Sequence, residues 1–168
     1  MTLHHPELYR TMEGVVAGIG VRSRAMHRSG DFVGFYTGRL MTTACYEASH
    51  DARLEDISFA IEGTDYVVVR SSYADVIGFI NEVPNGFQSN VVAIPIHLDA
   101  GNAVGYFATQ CIEPHTELLV HYGDSFERTY DVGTEAPVPK RLQRADSVLS
   151  NSAMHNTKLY CAPRRNIC

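Results

Sequence analysis

Residues 111–126 read CIEPHTELLVHYGDSF, and the rest of the chain can be laid out around them. Glu113, Pro114, His115 and Thr116 make a tight connection. Leu118, Leu119 and Val120 make a short apolar strand, and Tyr122-Gly123 is a tyrosine halted by a glycine. Extended backbone running into that pair leaves a phenol at a strand end, where a cleft can use it. Taken alone, a strand-terminal tyrosine is more often a packing residue whose hydroxyl finds a local partner. The reading gains force from three segments upstream.

The 168 residues have the length of one ordinary domain with a sizeable core. Apolar residues at 45% and charged residues at 20% are globular values and argue against wholesale disorder. No apolar run approaches the ~18 residues of a membrane span, and the opening MTLHHPELYR lacks the basic start and apolar centre of a secretory signal. Cys45, Cys111, Cys161 and Cys168 show no C-x-x-C spacing and no clustering with histidine. That pattern predicts reduced thiols, a nuclear or cytoplasmic setting and no structural metal. None of the eight histidines has ligand spacing.

The net charge of −5 is unevenly spread: after residue 137, Lys140, Arg141, Arg144, Lys158, Arg164 and Arg165 face Asp146 alone. The acidic body that remains attracts basic ligands and repels a nucleic acid backbone, unless it is only a solvated surface.

Along the chain, residues 8–12 have the length of one helical turn and no more. Residues 14–21 (GVVAGIGV) read as a strand leading into a turn at Gly18-Ile19-Gly20. Glycine there permits positive φ and close approach of a ligand, and a plain turn accounts for it equally well. Residues 31–36 form a second strand ending in Tyr36-Thr37-Gly38. Residues 41–56 are mixed, with a short helix expected near 48–54. Residues 57–61 and 66–70 read as a hairpin, and 71–75 as a turn of helix. The apolar run 76–80 ends abruptly at Asn81, a residue that commonly serves only as a turn former. A loop follows over 82–89, then strands over 91–98 and 103–109. The segment 133–139 is linker-like, and 141–152 could form an amphipathic helix through Leu142, Val148 and Leu149. Many short strands and few helices predict a mostly β domain with a separate C-terminal tail.

Four pieces in order, Gly18-Ile19-Gly20, Tyr36-Thr37-Gly38, Phe79-Ile80-Asn81 with Asn90, and Glu117-Leu118-Leu119-Val120-His121-Tyr122-Gly123, resemble the SET-domain protein lysine methyltransferases over roughly residues 14–126. The resemblance implies a fold of several small β-sheets with a pseudoknot and few short helices. It implies a catalytic domain over 1–130 and a tail over 131–168, helical in part. It implies transfer of a methyl group from S-adenosylmethionine to a lysine of a basic, histone-like protein. No direct contact with nucleic acid or membrane is implied, and the oligomeric state is left open. Carried over by position, Gly18, Ile19, Gly20, Phe79, Ile80, Asn81, Glu82, Tyr122 and Phe126 would meet the cofactor. Tyr36, Phe79, Val120 and Tyr122 would line the substrate channel, with Tyr122 at the point of methyl transfer. No metal is implied.

The sequence departs from the family in three places. Glu82-Val83-Pro84 follows Asn81 where histidine, serine and cysteine are usual, so the property in question is cofactor affinity. The zinc-binding cysteine segment that often follows the domain is missing. His115-Thr116 stands where a glycine is common. The first two departures keep an alternative open: a module that binds a basic peptide with weak or no turnover. Val120 and Ala93 stand where relatives carry the Phe or Tyr that restricts the space around the amine, which implies di- or trimethylation.

Overall fold

The computed structural model describes residues 7–16, 18–49, 58–61, 64–70, 76–98, 101–124, 126 and 128–143. Its strands are short and gather into four small sheets. β1 (Leu8–Thr11) pairs antiparallel with β2 (Gly20–Ser23). Residues 8–11, long enough only for a helical turn, are therefore a strand, and the expected strand at 14–21 lies after the glycine turn instead of before it. Gly18, at φ 102°, breaks the extended run there, so pairing can begin only at Gly20.

β3 (Phe32–Tyr36) is the edge of a three-stranded antiparallel sheet in the order β3-β9-β8, where β8 is Val91–Leu98 and β9 is Gly101–Ala108. β8 and β9 pair over eight residues as the expected hairpin. β4 (Arg39–Thr42), β5 (Ser58–Ile61) and β6 (Tyr66–Val69) form the third sheet, with β6 central. The β5/β6 hairpin matches the alternation in its sequence. A short helix, α1 (Thr43–Ala48), precedes the one expected near 48–54 and is capped by the Thr42 hydroxyl, which accepts the Cys45 N–H; residues 50–54 of that expectation lie outside the described residues. The expected turn of helix at 71–75 lies outside the described residues, as does all of the expected helix at 141–152 beyond residue 143. Residues 140–143 are helical.

A 3-10 helix (Val76–Phe79) takes up the apolar run before Asn81. It packs on β1, β2 and β3, which carries Asn81 to the edge of the glycine turn. The fourth sheet is the smallest: β7 (Asn81–Glu82) beside β10 (Leu119–Val120), parallel, with Leu119 opposite Asn81 and Val120 opposite Glu82.

Residues 115–120 are interleaved between distant segments. The Leu118 N–H donates to the Val21 carbonyl at 2.8 Å, and the Val83 N–H donates to the Val120 carbonyl at 2.9 Å. Buried Asn90 clamps the same stretch from the far side, donating from Nδ2 to the Glu117 carbonyl at 2.7 Å and accepting the Leu119 N–H at 2.8 Å. Chain passing between chain in this way is rare among folds. The core closes around it with Phe59, Ile61, Ile77, Ile112 and Leu118, all less than 2% exposed. Burial of each stabilises the fold by about 1.5–3 kcal/mol.

His115 adopts φ 66°, the conformation that explains the family's glycine at this place. Tyr9 Oη on its Nδ1 at 2.9 Å and Arg22 Nη1 on its carbonyl at 2.7 Å hold it there. Residues 131–143 stay on the body. The Gly133 N–H donates to Val83 and the Ala136 N–H to Ser89 Oγ, and Arg141 pairs with Asp31 at 2.6 Å, at the end of β3 away from Tyr36. No helix among the described residues is long and apolar enough to cross a membrane.

Candidate active site

The interleaving brings the four motif segments to one place. Tyr122 is tethered at both ends by the segment carrying Asn81. Its hydroxyl donates to the Ile80 carbonyl at 2.9 Å, and its backbone N–H donates to Glu82 Oε1 at 3.1 Å. The ring of Phe126 meets the Tyr122 ring edge-on, 5.0 Å between centroids.

On the other side of Asn81 lies the glycine turn. Glu117, buried at 5% exposure, accepts the Asn81 Nδ2–H at 3.3 Å and also the Val15 N–H. A Cβ added at Gly20 would collide with the Glu117 carboxylate and come within 3.1 Å of Asn81 Nδ2. Glycine is required there by close approach. At Gly18 the requirement is the positive φ, and the space beside it is open, with nothing within 4 Å of an added Cβ. Ile19 is 41% exposed.

The remaining predicted residues divide. Tyr36, at the end of β3, has its ring 5.9 Å from Phe59 and 6.3 Å from Tyr106. Phe79 lies between two guanidiniums, Arg10 at 4.0 Å and Arg70 at 4.4 Å from its centroid. Val120 is buried in the core. The Glu82 carboxylate is occupied by protein donors. Besides the Tyr122 N–H it accepts Arg128 Nε at 3.2 Å, Arg128 Nη2 at 2.6 Å and the Tyr130 hydroxyl at 2.9 Å.

Sequence reasoning missed three residues that the fold delivers to this region. Glu117 was visible only as a motif letter. Arg128 lies in a segment with no periodicity, and its one signal was a carboxylate at Glu82 in an apolar setting, which demands a cation. Tyr106 gave no signal at all. It is the register partner of Ala93 and of Gly34, so its ring stands over two small residues. Ala93 thus has an aromatic residue, Tyr106, as its neighbour across the β8/β9 ladder. Burial pushes the Tyr106 phenol well above its usual pKa, and neighbouring Tyr36 and Tyr122 push it further. It stays protonated at neutral pH.

Among the described residues no three His, Cys, Asp or Glu side chains are grouped to hold a metal ion, and Cys45 and Cys111 are free and exposed.

The family model described as SET domain matches residues 18–123. No curated protein matches the chain in sequence. Among solved structures, a complex titled as Chaetomium thermophilum Polycomb Repressive Complex 2 (ctPRC2) with H3K27me3 and H3K27M aligns with a TM-score of 0.60 and 22% identity. That match covers 79% of this chain and 17% of the other. The same complex in an autoinhibited conformation bound to S-adenosylmethionine gives 0.58 and 19%, over 83% and 16%. A humanized mutant bound to the inhibitor GSK126 gives 0.59 and 18%, over 72% and 15%. The chain thus spans about a sixth of the length of these solved chains, and the likeness concerns the fold. The matched region runs from the glycine turn to the glycine after Tyr122, through the same small sheets, and the chain belongs to the SET domain family.

Proposed function

We propose that this protein transfers a methyl group from S-adenosylmethionine to the side chain of a lysine in a basic, histone-like protein, in the nucleus or cytoplasm. The observation that carries the reading is the double tether of Tyr122 to Ile80 and Glu82, on either side of Asn81 and next to the glycine turn. The solved relative bound to S-adenosylmethionine and the one in complex with H3K27me3 and H3K27M support the choice of cofactor and of substrate class.

The residues present suit that cofactor. Gly18 has an open face, Asn81 offers an amide at the same edge, and Phe126 is a half-buried ring beside Tyr122. The Glu117 carboxylate beneath Gly20 is of the sign that favours a cationic ligand. Gly18, Ile19, Gly20, Asn81 and the backbone of Glu82 would hold it, and when bound it supplies an electrophilic methyl group.

The chain's part is to position and desolvate. A lysine with a free pKa near ~10.4 must arrive neutral, and an aromatic channel of Tyr36, Tyr106 and Tyr122 disfavours its charged form by excluding water. The Tyr122 hydroxyl, a neutral O–H already directed at a carbonyl, can orient the amine without ionising.

The test is a thermal shift with S-adenosylhomocysteine together with methylation of a peptide array rich in lysine and arginine. Ligand at ~100 times its dissociation constant stabilises by roughly 2.7 kcal/mol, and methylated spots on basic peptides are expected. A shift without methylation on any peptide would replace this reading with that of a peptide-binding module. No shift at millimolar ligand would remove the cofactor.

A further inference from the structure

We propose that Glu82 and Arg128 form an ion-pair clip that positions Tyr122 and Phe126 for the reaction. The inference rests on the reading under Proposed function. Among the described residues of 123–131 none lies in a strand or bridge, yet Phe126 packs against the tyrosine and Arg128 against Glu82. Two of their side chains, Arg128 and Tyr130, converge on one carboxylate, Glu82. The Glu82 side chain is 4% exposed and faces an Arg128 side chain 14% exposed. The contact is a two-point fork, Nε to Oε2 at 3.2 Å and Nη2 to Oε1 at 2.6 Å, which fixes the guanidinium plane as a single contact could not.

Arg128 passes that fixed orientation on. It donates to the Gly123 carbonyl at 2.7 Å, and its guanidinium carbon lies 5.2 Å from the centre of the Phe126 ring, which in turn meets Tyr122. Tyr130 closes the other end, with its hydroxyl on Oε2 at 2.9 Å. Oε1 also receives the Tyr122 N–H. The backbone of the reacting tyrosine and the turn that follows it are therefore set from the same two oxygens. Glu82 immediately follows Asn81, so the clip references the tyrosine to the strand that carries the amide. Glu82 and Arg128 are positioning residues on this account, since they act through Tyr122 and Phe126.

The experiment compares the wild type with Glu82→Gln, Arg128→Gln, Arg128→Lys and the milder Tyr130→Phe. Melting temperature, S-adenosylhomocysteine affinity, and kcat and KM on one methylated peptide are measured for each. Arg128→Gln and Glu82→Gln should lower kcat 10- to 100-fold while leaving KM and cofactor affinity within about threefold. Arg128→Lys should recover part of the loss, and Tyr130→Phe should lose two- to fivefold.

A second readout does not need turnover. With 19F-labelled tyrosine, the Tyr122 resonance, identified by its disappearance in Tyr122→Phe, should be single and narrow in the wild type. It should broaden or split in the clip variants. If the wild type methylates nothing, the reading of function fails while the resonance still decides on the clip. A folded Arg128→Gln protein with an unchanged Tyr122 resonance or an unchanged kcat would overturn the proposal. If neither glutamine variant folds, Tyr130→Phe decides by the same two measures.

Discussion

Two irregular segments flank Asn81, and each is fastened by a buried glutamate, Glu117 two residues before β10 and Glu82 in β7. On the glycine side, Glu117 is met by neutral donors, the Val15 N–H and the Asn81 amide. On the tyrosine side, Glu82 is met by a guanidinium as well. The difference is one of charge. Arg128 cancels the Glu82 carboxylate locally, whereas neutral donors stabilise the Glu117 carboxylate without removing its field. Of the two anchors, only the tyrosine side pairs its carboxylate with an opposite charge. The arrangement teaches that anchoring a loop and lending it a charge are separable, and that this chain does the first at both places and the second at one.

The largest expected effect tests the tyrosine side. Tyr122→Phe keeps the ring and its contact with Phe126 and removes the oxygen that donates to Ile80. Turnover should fall by one to several orders of magnitude, each factor of ten being ~1.4 kcal/mol of transition-state stabilisation. Melting temperature and cofactor affinity should be nearly unchanged. Full turnover would mean that the tyrosine side carries no chemistry.

The next tests the glycine side. Gly20→Ala drives a methyl group into the Glu117 carboxylate and the Asn81 amide, a crowding that costs roughly 1–3 kcal/mol. Its melting temperature and its cofactor affinity should fall together. Asn81→Ala, which lies between the sides, should weaken cofactor binding by about tenfold with a smaller loss of stability, the size of one lost hydrogen bond. Calorimetric titration with S-adenosylhomocysteine separates the two variants, and equal affinities in both would erase the distinction between crowding and a lost contact.

Tyr106→Phe is a sharper and smaller probe. Removing its buried hydroxyl enlarges the space beside Ala93, so mass spectrometry of the product should show more methyl groups added with little change in rate. An unchanged product distribution would separate Tyr106 from the reacting amine.

The smallest effect is remote from both sides. Arg141→Ala cuts the surface pair with Asp31 and should cost no more than ~1 kcal/mol. The Asp31 carboxyl is held below its usual pKa, first by the Arg28 N–H and then by Arg141. A depressed carboxyl stabilises above its unfolded pKa and loses that contribution as pH falls through the folded value. The difference in melting temperature between the variant and the wild type should therefore be present at pH 7 and shrink only as pH falls below the usual carboxylate range.

Strands with alternation were legible, because β3, the β5/β6 hairpin and the β8/β9 hairpin each carry one apolar face that the sheet must bury. β1 (LYRT) and β4 (RLMT) were not. Four mixed residues have no periodicity, and they are strands only because a distant partner offers a ladder. The apolar run before Asn81 has the composition of a strand, and packing against β1, β2 and β3 winds it into a 3-10 helix instead. Motif letters identified Gly18, Gly20, Asn81 and Tyr122 as a set, since chemistry constrains their identity. The partners that hold them, Glu117, Arg128 and Tyr106, are constrained by contacts across the fold, which leave no local mark.

The crossing of residues 115–120 between β2 and β7 also governs when the site can exist. Its bonds join residues 36 apart, Asn81 to Glu117, and 102 apart, Val15 to Glu117. No local nucleus can form such a crossing, and closing loops of that length slows folding even where it costs little stability. The site has no partial version. A nascent or cleaved chain that stops before Glu117 can hold the β8/β9 hairpin, yet its glycine turn has no carboxylate to fasten it and its Asn81 no strand to lie beside. The proposed reactivity is thereby confined to chains that have completed their topology.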